Sequence, residues 1–135
     1  MATFQKINTF VADVANGKHN LASNQLTVAL TNTLPVATNT VIANITEIAY
    51  TNLSTRNITT TSSTQTSGTY SLILANLTLT ASGAVSAFRY VVIYNSTTSG
   101  GPLIGWYDYG SSITMGNGDT FAISFDLTNG LLQIT

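Results

Sequence analysis

The sequence predicts an all-β fold, an antiparallel β-sandwich or jelly roll of about seven to nine short strands behind a short N-terminal α-helix. Three observations lead there. Beyond Leu21 apolar residues recur with a period near two, as where Phe88, Tyr90, Val92 and Tyr94 alternate with Arg89, Val91 and Ile93, and that is the repeat of a strand. Turn signals such as Ser99-Gly-Gly-Pro102, Gly116-Asn-Gly-Asp119 and Asn129-Gly130 punctuate the chain at intervals of about ten residues. Threonine, β-branched and suited to strands, supplies 24 of the 135 residues, with 13 serines and 13 asparagines beside it.

The one stretch of helical spacing lies at the start. Phe4, Ile7, Phe10 or Val11, and Val14 fall on one face at steps of three and four, and Gly17 stands where a left-handed cap ends a helix. An amphipathic helix is expected over 3–16, and the sandwich over 24–135 of a single domain spanning 1–135. Such a helix is marginal alone, so its apolar face docks either on its own sheet or on a neighbouring subunit. Gln25 to Thr31 alternates as a strand, and Pro35 ends the segment after it. Val41 to Ile48 is apolar and open between strand and helical turn. Arg56 to Thr66 carries a single aliphatic side chain, Ile58, and reads as an edge strand wet on both faces or as a loop. Tyr70 to Thr80 is one bent strand or two short ones. Ala87 to Tyr94, apolar on both faces, belongs in the middle of a sheet, with Leu103 to Tyr109 as its antiparallel return. Phe121, Ile123, Phe125 and Leu127 alternate with Ala122, Ser124 and Asp126 as a half-buried strand, and Leu131 to Thr135 forms the last.

Composition narrows the function. Only 7% of residues are charged, against about 25% in an average chain. A net charge of -1 leaves no basic stripe for phosphates, so no nucleic-acid partner is expected. Cysteine is absent, which removes disulfide frameworks and thiolate chemistry. No apolar run approaches the roughly 20 residues of a membrane span, and the start lacks a signal-peptide layout, so no membrane partner and cytoplasmic synthesis are expected. A surface of neutral hydroxyls and amides repels its own copies weakly, which suits a protein packed against neighbours.

Candidate chemistry is sparse. His19 is the single histidine; beside a helix C-terminus it reads as a cation held by the dipole, not as a metal ligand. Gly-x-Ser-x-Gly is missing. The carboxylates are Asp13, Glu47, Asp108, Asp119 and Asp126, and glycoside hydrolysis would need two facing one substrate. Asp108 sits among aromatics and is expected to pair with Arg89 on the adjacent strand. Tyr94, Trp106, Tyr107 and Tyr109 fit core and subunit interface better than sugar stacking, and alternation sends Trp106 and Tyr107 to opposite faces. The reading is a non-enzymatic protein with no cofactor and no metal.

Three stretches together resemble a family of small structural proteins of tailed-bacteriophage virions. They are Phe10-Val-Ala-Asp-Val-Ala-Asn-Gly17 running on through Leu26-Thr-Val-Ala-Leu-Thr-Asn-Thr-Leu-Pro35 to Ile45-Thr-Glu-Ile48, then Phe88-Arg-Tyr-Val-Val-Ile-Tyr-Asn95 with Pro102-Leu-Ile-Gly-Trp-Tyr-Asp-Tyr-Gly110, and Gly118-Asp-Thr-Phe-Ala-Ile-Ser-Phe125. Ala49 to Asn57 departs from the family, whose members tend to carry a Gly-rich segment there. The resemblance implies a virion location and a head decoration or cement protein that binds the major capsid protein as a homo-oligomer, a trimer before a dimer. Its alternatives are a neck, tail or baseplate protein, or a carbohydrate-binding jelly roll stacking sugars on Tyr94 or Trp106. Under the leading reading Phe4, Ile7, Phe10 and Val14 dock the helix, while Tyr107, Tyr109 and the stretch around Thr59 to Thr66 form the oligomer face.

Overall fold

The computed structural model describes residues 2–135. Among them are ten strands: β1 Gln5–Lys6, β2 Leu26–Thr31, β3 Asn57–Ile58, β4 Thr60–Thr66, β5 Thr69–Leu74, β6 Leu77–Thr80, β7 Val85–Asn95, β8 Leu103–Met115, β9 Thr120–Ile123 and β10 Leu132–Ile134. One α-helix, α1 Phe10–Ala15, and a 3-10 turn at Ile42–Asn44 complete the set. The fold is therefore all-β, with antiparallel strands and a small helix near the N-terminus, as the alternation and turn signals predict. Among the described residues no helix is long and apolar enough to cross a membrane.

The main sheet runs β1-β8-β7-β2-β3. Its middle is buried on both faces, because β7 contributes Val91, Val92 and Ile93, and β2 is buried along its whole length. This is the central position that the two-faced apolar run of Ala87 to Tyr94 predicts. The second layer is made of two smaller sheets, β10-β5-β4 and β6-β9. Aromatic contacts join the layers: Phe88 meets Phe121 edge to face at 5.2 Å, and Tyr107 lies 6.4 Å from Phe125. The Tyr70 to Thr80 stretch is two strands, β5 and β6, placed in different sheets. Val41 to Ile48 makes the 3-10 turn and two isolated bridges, Val41 to Pro102 and Thr31 to Glu47.

Two expectations need correction. The helix over 3–16 is instead the short strand β1 followed by a six-residue helix. Gln5 and Lys6 pair with Trp106 and Gly105, and the Ile7 N–H donates to the Ile104 carbonyl at 3.0 Å. Gly105 permits this: a Cβ there would overlap the Phe4 ring and the Gln5 carbonyl oxygen. The end of the helix is as expected. Gly17, at φ +75°, donates to the Val14 carbonyl, and Lys18 donates to that of Asp13, the double cap of a left-handed terminus. Ile7 and Phe10 are 0% and 2% exposed and belong to the same core as β2 and β7. The helical segment docks on its own sheet.

The second correction concerns Phe121 to Leu127. The strand ends at Ile123 and Leu127 is exposed. Asp126, expected on a strand's polar face, caps a turn instead, accepting bonds from the Thr128 and Asn129 N–H groups at 2.8 Å each. Those bonds, Asn129 first, hold its carboxyl below the usual range. Turn chemistry overrode the apolar period.

Candidate functional site

The carboxylates weighed for chemistry are each tied into local structure. Asp13 is buried and pairs with Lys18 at 3.0 Å. Asp119 accepts the Gly116 N–H at 2.8 Å and closes its turn. Asp108 and Arg89 form the expected ion pair, bidentate at 2.8 and 2.9 Å; the guanidinium, then the Gly110 N–H, lower the Asp108 pKa. Glu47 accepts from the Tyr50 hydroxyl at 2.7 Å, and that hydroxyl accepts the Leu30 N–H at 2.9 Å. Arg56 lies 3.6 Å over the Tyr50 ring and donates to the Val28 carbonyl. The segment that departs from the resembled family is thus pinned along the outer edge of β2. Burial first, and the Glu47 contact after it, push the Tyr50 phenol far above its ordinary range. Among the described residues no three His, Cys, Asp or Glu side chains gather to hold a metal ion.

His19 departs from expectation. It is buried at 6% exposure, with its ring 5.2 Å from that of Phe10. Asn95 decides its tautomer. The Asn95 Oδ1 accepts the Thr97 and Thr98 N–H groups, so its amide nitrogen donates to Asn24 Oδ1 at 2.8 Å and to His19 Nδ1 at 3.2 Å. Nδ1 is therefore an acceptor, and the neutral ring carries its proton on Nε2, which has no partner. Burial lowers the pKa below 6.5, outweighing the help of Asp13, and Lys18 lowers it further. The dipole does not hold a cation here, because removing the ring from water costs more than a six-residue helix returns.

A stability consequence follows from the lowered pKa. The unfolded chain binds the proton first, so His19 costs nothing above pH 6.5. Below that, stability falls by up to about 1.4 kcal/mol per pH unit until the folded pKa is reached. Denaturation curves between pH 7.5 and 5 should show this slope in the wild type and lose it in His19→Gln. An equal slope in both would refute the assignment.

The candidate interface residues fall in two places. Thr59, just before β4, and Thr66, at its end, are exposed, and β4 forms the outer edge of its sheet, the edge strand of the two alternatives that the Thr-rich stretch leaves open. Val14 is half-buried, and a groove of about 520 Å³ runs from it past His19 to Ser63, Tyr70 and Ile134. The helix and the β4 sheet thus share one side of the molecule. Phe4 is half-buried against Tyr107 at 5.4 Å. Tyr107 and Tyr109 lie elsewhere, around an apolar pocket of about 200 Å³ with Phe121 and Ile123. Burial, with Asp126 adding to it, pushes the Tyr107 phenol to about 12. Tyr109 is 54% exposed and stacks edge to face on Phe121 at 5.4 Å.

Ile7 and Phe10, assigned above to docking, are engaged in the core and offer no side chain to a partner. Trp106 is 8% exposed, leaving no free ring face for a sugar, and Tyr94 is half-buried. Val11, at 55% exposure, and Ile134, at 42%, are large apolar side chains that face water on this side of the molecule. Helical spacing offered Val11 as the alternative to Phe10; nothing in the sequence marked Ile134. Comparison with known proteins finds no matching family model, curated protein or solved structure.

Proposed function

We propose that the chain is a non-enzymatic structural protein of a bacteriophage virion, a head decoration protein that binds the major capsid lattice and raises the cost of separating its subunits. The observation that carries the reading is the strand Thr60–Thr66, a free sheet edge of hydroxyls and one amide in a chain with 7% charged residues. Such an edge and such a surface suit permanent contact with neighbours. Each carboxylate is held in an ion pair, a turn or a hydrogen bond, which supports a non-enzymatic reading. The three-part sequence resemblance supplies the virion setting, the oligomer and the major capsid protein as partner.

In this reading each copy binds modestly, and repetition over the lattice multiplies the contacts. Tyr107 and Tyr109 form one contact surface, and the Thr59 to Thr66 edge a separate one on the side of the helix. Val11 and Val14 take the role on the helix first given to the buried Ile7 and Phe10. Quantitative mass spectrometry of purified particles is the test. A ratio to the major capsid protein near one, or a simple fraction of it, is expected. A handful of copies per particle would move the protein to the neck, tail or baseplate, and absence from particles would overturn the virion reading.

A further inference from the structure

The edge of β4 has a geometry that selects its partner. β4 and β5 are joined through Ser67 and Gly68, both at positive φ, the two-residue turn that matches the twist of a hairpin. Thr66 and Thr69 flank that turn and form a hydrogen-bonded pair. Counting back from it, Thr64 and Ser62 also exchange backbone bonds with β5, so the N–H and C=O groups of Ser63 and Gln65 point away from the sheet. No backbone group of the described residues bonds them there. At the base of the strand the register shifts between Thr60 and Ser62, a bulge that ends regular pairing. The free edge is therefore Ser62 to Thr66.

Monomeric proteins guard such edges with Lys, Pro or inward charges. From Asn57 to Asn76 this chain has no Asp, Glu, Lys, Arg or Pro. The bulge is the one guard, and it protects only the base.

We propose that Ser62 to Thr66 pairs antiparallel with the same segment of a second copy, about a two-fold axis at Thr64, joining the two three-stranded sheets into one. Ser63 of each copy faces Gln65 of the other, exchanging both backbone bonds, and Ser62 faces Thr66. Thr64 meets its own copy across the axis in a non-hydrogen-bonded pair. All opposed side chains are neutral, and a threonine pair is a favourable cross-strand contact. A charged partner strand would gain nothing from this edge. A second copy needs no charge complementarity, and a net charge of -1 barely repels it. Pairing of an edge with itself closes at two, which favours the dimer over the trimer expected from the resemblance. The inference deepens the oligomer part of the proposed function, and rests on that reading for its setting alone.

The absence of cysteine makes the register directly testable on the purified full-length chain. Thr64→Cys places two thiols at a Cα separation of about 4.5 Å, within the ~4.4–6.8 Å range of a disulfide. Mild oxidation should give a covalent dimer of twice 14.2 kDa. Thr78→Cys, exposed on β6, should stay monomeric. The unmodified chain should sediment as a monomer–dimer equilibrium with a dissociation constant of roughly 100 µM, since a short strand pair buries less than a standard interface. Thr64→Lys should weaken it about fivefold, as should Thr64→Glu, and mixing the two should restore it. Equal cross-linking at 64 and 78, a trimer, or a monomer up to ~1 mM would each overturn the proposal. None of these results bears on particle copy number, so this proposal and the virion reading fail separately.

Discussion

Phe88→Ala should lower the stability of the fold by about 3–5 kcal/mol, a large part of the ~5–15 kcal/mol that holds a domain together. Phe88 is 0% exposed on the central strand β7, and its ring meets the edge of Phe121 from β9. It lies where the main sheet and the β6-β9 ribbon touch. Truncation removes the transfer energy of the ring, leaves a cavity between layers that cannot collapse freely, and forfeits the aromatic pair, itself worth about 1 kcal/mol. For a chain of this size the melting temperature should fall by roughly 10–20 °C. Phe88→Leu, which keeps most of the volume, should cost well under half as much. Urea unfolding followed by Trp106 fluorescence and by circular dichroism measures both. A loss below ~1 kcal/mol for the alanine variant would mean that the two layers are not joined at this ring.

The same strand shows why part of the fold is legible in the sequence. Phe88 to Tyr94 has a strict alternation whose two faces are both apolar, and burial on both faces is the one place where such a strand is stable. The Thr-rich β4 is legible for the opposite reason. It has nothing to bury, which leaves an edge strand or a loop, and the pairing with β5 decides for the strand. The N-terminal segment is not legible. Phe4, Ile7, Phe10 and Val14 satisfy helical spacing, yet a strand, a turn and a short helix bury the same residues. The choice between them is made by the missing side chain of Gly105, a hundred positions away. His19 is hidden in the same manner, because its burial comes from the tertiary fold and its tautomer depends on an amide, Asn95, that is 76 residues distant. Asp126 and Leu127 continue an alternation, but the Asn129-Gly130 turn claims them. Of the candidate interface, the outer edge of β4 is one of two alternatives the sequence leaves open, whereas the faces that α1 turns inward could not be read from it.

Gly105→Ala tests the contact that decided the N-terminal fold. A Cβ at 105 would overlap both the Phe4 ring and the Gln5 carbonyl oxygen. The ring can swing aside, but the carbonyl belongs to a backbone paired with β8. One methyl group therefore either bends β8, where Ile104 and Trp106 are buried on either side, or lifts β1 away. Lifting β1 breaks the Ile7 to Ile104 bond and draws Ile7 and Phe10 out of the core. Overpacking of this kind costs about 1–3 kcal/mol, and the upper end is expected because backbone must move. The loss should be local, unlike that of Phe88→Ala. Amide exchange should accelerate from Phe4 through His19, while β2 and β7 keep their protection. The variant should also expose Ile7 and Phe10 and gain affinity for apolar dyes or for its own copies. Wild-type exchange in the N-terminal segment, at wild-type stability, would mean that β1 is not seated on β8. The helical face of Phe4, Ile7, Phe10 and Val14 would then again be available for docking on another molecule.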